Sequence, residues 1–272
     1  MSVKPSAFVN SFKNAIRSGP PQIGLWQALA TPTTAEICAG AGFDWLLFDG
    51  EHGPNTVPLL MAQLQAVAPY PVHSIARPPI GETYLIKQYL DIGFQTLLVP
   101  FIENAAQAES VCKAMRYAPE GVRGIGASLA RASRWDRIPD YLDRANDEMC
   151  LIVQIETAEG LTNLDAIARV DGVDALFIGP ADLAASLGFR GYAAAPEMEA
   201  AISDAIARII AAGKAAGTIA LDPTVAKRRI SQGCSFVAVG TDVTLLGDGA
   251  AQLARNWRHD TNTSATLRRG GY

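Results

Sequence analysis

A chain of 272 residues with 49% hydrophobic content can bury one large core, and a formal net charge of −4 without a basic patch excludes nucleic acid as the expected partner. The longest apolar runs are strand-sized, which excludes a membrane-spanning segment. Cys38, Cys112, Cys150 and Cys234 are scattered and form no C-x-x-C, so they read as free thiols of a reducing cytoplasm.

Residues 1–18 lack the apolar core of a secretory signal and predict a short amphipathic helix with Phe8, Phe12 and Ile16 on one face. Beyond them, strand-like apolar runs alternate with helical patterns, the signature of a parallel sheet. The runs fall at 23–29, 45–48, 73–76, 96–99, 151–155, 175–178, 218–220 and 236–239. Helical stretches lie between them, for example 83–92 and 196–212, the latter with Met198, Ile202, Ile206, Ile209 and Ile210 at helical spacing. Eight β-α units with no break in composition predict a single-domain (β/α)8 TIM barrel over 21–258. An N-terminal helix precedes it at 1–20 and a polar tail follows at 259–272. A doubly wound open sheet is the alternative fold.

The second strand runs into Asp49-Gly50-Glu51-His52, three ionisable groups within four residues. An imidazole there suits a general base near neutral pH, and a carboxylate partner would fix its tautomer. A polar loop with a capping aspartate asks for the same residues. The third strand ends at Arg77, a guanidinium that is costly to bury unless it meets an anion. It suits a developing enolate or a carboxylate, or else a structural ion pair with a rim acid.

The fifth strand carries Gln154 and Glu156 two positions apart, hence on one face. The sixth runs into Gly179-Pro180-Ala181-Asp182, a strand-to-helix turn whose amides suit a carboxylate. Asp182 alone also fits a helix cap. Two acids, Glu156 and Asp182, at the C-terminal ends of parallel strands make oxygen donors for a hard divalent cation. None of the six lysines (Lys4, Lys13, Lys87, Lys113, Lys214, Lys227) closes a predicted strand, which argues against a Schiff-base mechanism. No G-x-G-x-x-G follows a strand and no P-loop occurs.

One segment departs from the repeat. Residues 116–147 carry Arg116, Arg123, Arg131, Arg134, Arg137 and Arg144, an excursion of a length expected where a loop is functional or at an interface. His73 and His259 read as structural. The loop from Ser186 to Tyr192 follows the acid rim and is a candidate cover, with Arg190 suited either to a distal carboxylate or to solvent.

Taken together, Gly42-Phe43-Asp44-Trp45 running into Asp49-Gly50-Glu51-His52, Ile75-Ala76-Arg77-Pro78, Gln95-Thr96-Leu97-Leu98-Val99-Pro100, Arg123-Gly124-Ile125-Gly126, Ala130-Arg131-Ala132-Ser133-Arg134-Trp135, Val153-Gln154-Ile155-Glu156-Thr157, Phe177-Ile178-Gly179-Pro180-Ala181-Asp182-Leu183 and Phe236-Val237-Ala238-Val239-Gly240 are a specific set. On these motifs the chain resembles the metal-dependent class II pyruvate aldolases of the HpcH type, the 4-hydroxy-2-oxoheptanedioate aldolases among them. The resemblance spans roughly 23–257.

It implies a barrel assembled as a homo-hexamer with a terminal helix exchanged between subunits. Glu156 and Asp182 would be ligands to magnesium, manganese or cobalt, His52 the base and Arg77 the transition-state stabiliser. Gln154, Ala181 and Asp182 would contact substrate, and Asp49 would position the histidine or a water. Asp91 would raise the basicity of the histidine from a neighbouring subunit, an assignment that rests wholly on the resemblance. The implied reaction is reversible cleavage of a 4-hydroxy-2-oxo acid to pyruvate and an aldehyde, as in aromatic compound catabolism, with hydroxypyruvate a further possible donor. A malyl- or citryl-type CoA-ester lyase is the alternative activity, and a binding protein on the same barrel is the non-enzymatic one.

Overall fold

The computed structural model describes residues 8–191 and 195–258. The 1–7 part of the predicted first helix, Tyr192 of the candidate cover, Lys4, His259 and the polar tail lie outside the described residues. Eight parallel strands close into one barrel in sequence order: β1 (Gln22–Gln27), β2 (Trp45–Asp49), β3 (His73–Arg77), β4 (Thr96–Val99), β5 (Cys150–Ile155), β6 (Ala175–Ile178), β7 (Ala215–Ile219) and β8 (Phe236–Thr241). The open-sheet alternative is excluded by the pairing of β1 with β8.

Because side chains alternate along a strand, every second residue points into the barrel. Phe12, Trp26, Trp45, Leu47, Ile75, Leu98, Ile152, Phe177 and Phe236 form one buried interior cluster. The larger cluster, with Leu46, Phe48, Leu97, Val153 and Ile155, packs between strands and helices. Each fully buried large side chain stabilises the fold by roughly 1.5–3 kcal/mol. The interior parity then sets the site. Continuing 45, 47 along β2 delivers Asp49, continuing 75 along β3 delivers Arg77, and continuing 152 past β5 delivers Gln154 and Glu156. The register places Asp49 level with Arg77 on the neighbouring strand.

The helix Ser11–Ser18 closes the lower end of the barrel. Its Phe12 and Ile16 are buried in the interior cluster, and Phe12 packs edge-on to Trp45 and Phe236, with ring centroids 6.3 and 5.8 Å apart. Asn10 caps this helix by accepting from the Lys13 amide. Its side-chain amide also donates to Thr96 Oγ1 and to the Glu148 carbonyl.

The sequence predicts the seventh strand at 218–220, whereas β7 begins at Ala215. Ala215, Ala216 and Gly217 carry no strong strand signal, and at Gly217 a neighbour demands the missing side chain. A Cβ at Gly217 would lie 2.3 Å from the Phe236 ring. The excursion after β4 is ordered by two short 3-10 turns (Ala127–Leu129, Arg131–Ser133) and the helix Tyr141–Glu148.

Candidate active site

A cavity of about 240 Å3 opens at the C-terminal ends of the strands. Asp49, His52, Arg77, Gln154, Ala181 and Asp182 line it, so the structure gathers six of the predicted site residues around one space. Glu156 lies beside it, buried and hydrogen-bonded to Gln154.

Arg77 is the most closely held group of the site. Its Nε and Nη2 donate to the two oxygens of Asp49 at 2.9 and 2.7 Å. Its Nη1 lies 2.8 Å from Glu51 Oε2 in an ion pair, and the guanidinium stacks 4.9 Å over Trp26. Two of five N–H donors are thus committed to Asp49 and one faces Glu51, which leaves two for a bound oxyanion. Burial works to raise the Asp49 carboxyl, but the Arg77 hydrogen bonds and charge outweigh it and hold the group below its usual value. Trp26 Nε1 donates to Asp49 Oδ2 at 3.1 Å.

The expectation that Asp49 positions the histidine takes a specific form. Asp49 Oδ1 accepts from the backbone amides of Glu51 and His52, and the Asp49 carbonyl accepts from Asn55 Nδ2. Gln63, buried, donates in turn to Asn55 Oδ1. Asp49 therefore fixes the turn that carries His52, not its ring. The His52 ring is half exposed at the pocket mouth, with Nε2 4.0 Å from Glu51 Oε2.

Glu156 accepts from the Phe101 amide at 2.9 Å and from Gln154 Nε2. Burial, opposed by these hydrogen bonds and reinforced by the charges of Glu51 and Asp182, pushes Glu156 up to about 7. Gln154 Oε1 is buried without a partner. Asp182 lies in the first turn of the helix Pro180–Ser186; Gly179, not Asp182, is the cap, and the Asp182 carboxylate accepts no hydrogen bond among the described residues. A buried acid, a second unpaired acid and an orphaned amide oxygen form an all-oxygen donor set short of positive charge, which suits a hard divalent cation. Among the described residues no three His, Cys, Asp or Glu side chains form a metal cage. A two-carboxylate site of this kind leaves most coordination positions to water and substrate, as magnesium tolerates.

Two expectations fall outside this cavity. Asp91 ends the helix Thr83–Asp91 and pairs with Arg123 at 2.7 Å, away from its own chain's pocket. Arg190 is exposed and does not line the cavity. Sequence reasoning missed Trp26, Phe177, Ile219, Thr241 and Thr244, which supply the walls. For Trp26 the signal was present: it occupies the last interior position of β1. No lysine lines the pocket among the described residues.

Comparison with known proteins places the chain in a family. Residues 22–248 match the HpcH/HpaI aldolase/citrate lyase family. The chain is 57% identical over 256 residues to the hydroxypyruvate/pyruvate aldolase of Deinococcus radiodurans, covering 94% of this chain and 92% of that protein. It is 53% identical over 263 residues to the 4-hydroxy-2-oxo-heptane-1,7-dioate aldolase of Klebsiella pneumoniae, covering 97% and 99%. A crystal structure of a family protein from Burkholderia cenocepacia superposes with a TM-score of 0.89 at 37% identity, covering 92% of this chain and all of that one. The chain therefore belongs to the HpcH/HpaI aldolase/citrate lyase family and is a carbon–carbon lyase of the aldolase type.

Proposed function

We propose that the chain cleaves 4-hydroxy-2-oxo acids reversibly to pyruvate, or hydroxypyruvate, and an aldehyde. The observation that carries this is the convergence of Arg77, His52, Gln154 and Asp182 on one cavity beside the buried Glu156. Glu156 and Asp182 would hold magnesium, manganese or cobalt, which supplies Lewis-acid polarisation of the 2-oxo group when bound.

The chain's own residues do the rest. His52 takes the 4-hydroxyl proton; the C3–C4 bond breaks, the aldehyde leaves, and the electron pair passes into the enolate of pyruvate. Charge gathers on the former ketone oxygen, where Arg77, held rigid by Asp49 and Glu51, donates. Gln154 and the first-turn amides of Ala181 and Asp182 orient the substrate carboxylate. Protonation at C3 completes pyruvate. The Trp26, Phe177 and Ile219 walls exclude water from the enolate. Pyruvate release from a panel of 4-hydroxy-2-oxo acids tests this: turnover must vanish in excess chelator and return with magnesium, manganese or cobalt. Turnover unchanged by chelator removes the metal from the reading.

We also infer a homo-oligomer, a hexamer on the family pattern. Val243, Leu245, Leu246, Leu253 and Trp257 of the helix Asp242–Trp257 are exposed, an apolar face that an isolated chain leaves in water. Asp91, held by Arg123 outside its own pocket, fits a role across such a subunit boundary. Light scattering gives the assembly size, and a monomeric, fully active protein overturns both inferences. Among the described residues no helix is long and apolar enough to cross a membrane, and all four cysteines are free, which supports a cytoplasmic setting.

A further inference from the structure

The arginine-rich excursion after β4 contains one buried guanidinium that the reaction does not use and no acid neutralises among the described residues. Arg116 pairs with Asp171, Arg123 with Asp91 and Arg144 with Glu148. Arg131 has no carboxylate within ion-pair distance among the described residues. Its Nη1 donates to the Ile92 carbonyl at 2.9 Å, yet the residue is only 7% exposed. A charge withdrawn from water to that degree is costly unless an opposite charge meets it.

Arg131 lines a second cavity, of about 270 Å3, at the N-terminal end of the barrel beside the starts of β3 and β4. Arg134, His73, Ser74 and Thr96 line it too, and its lining includes no aspartate or glutamate. It shares no residue with the catalytic cavity. Gly93 stands against the guanidinium: a Cβ there would lie 2.6 Å from Arg131 Nη1, so the bare position gives the charge its room. Burial first, and then the neighbouring Arg134 charge, pull Arg131 down to about 10. Two cations and a histidine thus share an acid-free cavity in a protein of net charge −4.

We propose that this cavity binds a small oxyanion of the phosphate class, with Arg131 as the buried donor and Arg134 as the second cation at its rim. The planar guanidinium suits a tetrahedral oxyanion, which accepts two parallel N–H bonds. Seated at the opposite end of the barrel from the catalytic rim, the anion would be bound together with substrate, not in competition with it.

The test is titration calorimetry of inorganic phosphate into the full-length, magnesium-loaded protein saturated with pyruvate, at constant ionic strength. Saturation with pyruvate keeps phosphate from the Arg77 site. The expected result is one saturable phosphate site per chain. Arg131→Met should weaken it by about tenfold or more, the order expected for a lost charge-assisted hydrogen bond. Arg134→Met should weaken it less, and both variants should keep wild-type turnover in phosphate-free buffer. Where Arg131→Met does not fold, Arg134→Met decides, because the Arg134 side chain makes no hydrogen bond or ion pair among the described residues. No saturable phosphate heat in the wild type, or undiminished affinity in the variants that fold, overturns the proposal.

Discussion

Arg77 and Asp49 face each other across neighbouring strands at one level of the barrel, joined by two parallel bonds of 2.9 and 2.7 Å. Glu51 lies 2.8 Å from the third guanidinium nitrogen, so the fork cannot turn without breaking an ion pair on either side. A planar group clamped in this way would already be in place for the charge that the proposed reaction develops, with no reorganisation at that moment.

Arg77→Lys should therefore cost a factor of roughly 10²–10³ in kcat for pyruvate formation, since an ammonium cannot satisfy Asp49 and an oxyanion with the same planar geometry. Steady-state kinetics on one 4-hydroxy-2-oxo acid reads this directly. A kcat near wild type would remove the arginine from the chemistry.

Glu156→Gln should abolish high-affinity manganese binding in calorimetry while leaving the fold intact, because the amide keeps the shape of the side chain but not its charge. Asp182→Asn should do the same. Manganese affinity unaltered in both variants would show that the two acids are not the ligands.

Gly217→Ala should destabilise the barrel by about 1–3 kcal/mol, the usual cost of forcing a methyl into a filled core. The relevant contact is the Phe236 ring, 2.3 Å from the added carbon. Urea denaturation gives the difference, and Phe236→Leu in the same chain should recover part of it. Equal stability of Gly217→Ala and wild type would contradict the packing described for β7 and β8.

His73 gives the fold a pH dependence. Burial, opposed in part by Asp44, holds the imidazole below its ordinary 6.5. The unfolded chain therefore takes up the proton more readily than the folded one. His73 contributes stability that is complete above 6.5 and lost as the pH falls through that value toward the lower folded one. The ring packs 5.6 Å from Phe12, so this loss falls on the helix that seals the barrel. Thermal midpoints of wild type and His73→Gln should diverge in slope below 6.5. Parallel curves would place the sensitivity elsewhere.

The barrel was legible because its signal is repeated: eight apolar runs of strand length, each followed by a helical pattern. Where the start of a strand was missed, at 215–217, Gly217 answers to a bulky partner distant in sequence, Phe236, and local propensity carries no trace of that partner. At the site, Asp49, His52, Arg77, Gln154 and Asp182 were legible as polar residues out of place at strand ends. The walls were not. Ile219 and Thr241 look like any strand-end residues, and Thr244 like any first-turn helix residue, until the barrel closes β8 onto β1 and brings them round. The triple grip on Arg77 was also out of reach, since it depends on register between β2 and β3. Asp91 illustrates the opposite limit: within one chain its carboxylate is satisfied by Arg123, and nothing local marks it for chemistry.

The stack of Phe12, Trp45 and Phe236 beneath Trp26 and Phe177 has a kinetic corollary. With the floor filled by aromatic rings, a substrate cleaved as proposed would come and go by the upper rim. The aldehyde should then depart ahead of the three-carbon product, with the queue reversed in the synthetic direction, an order that product-inhibition kinetics reads.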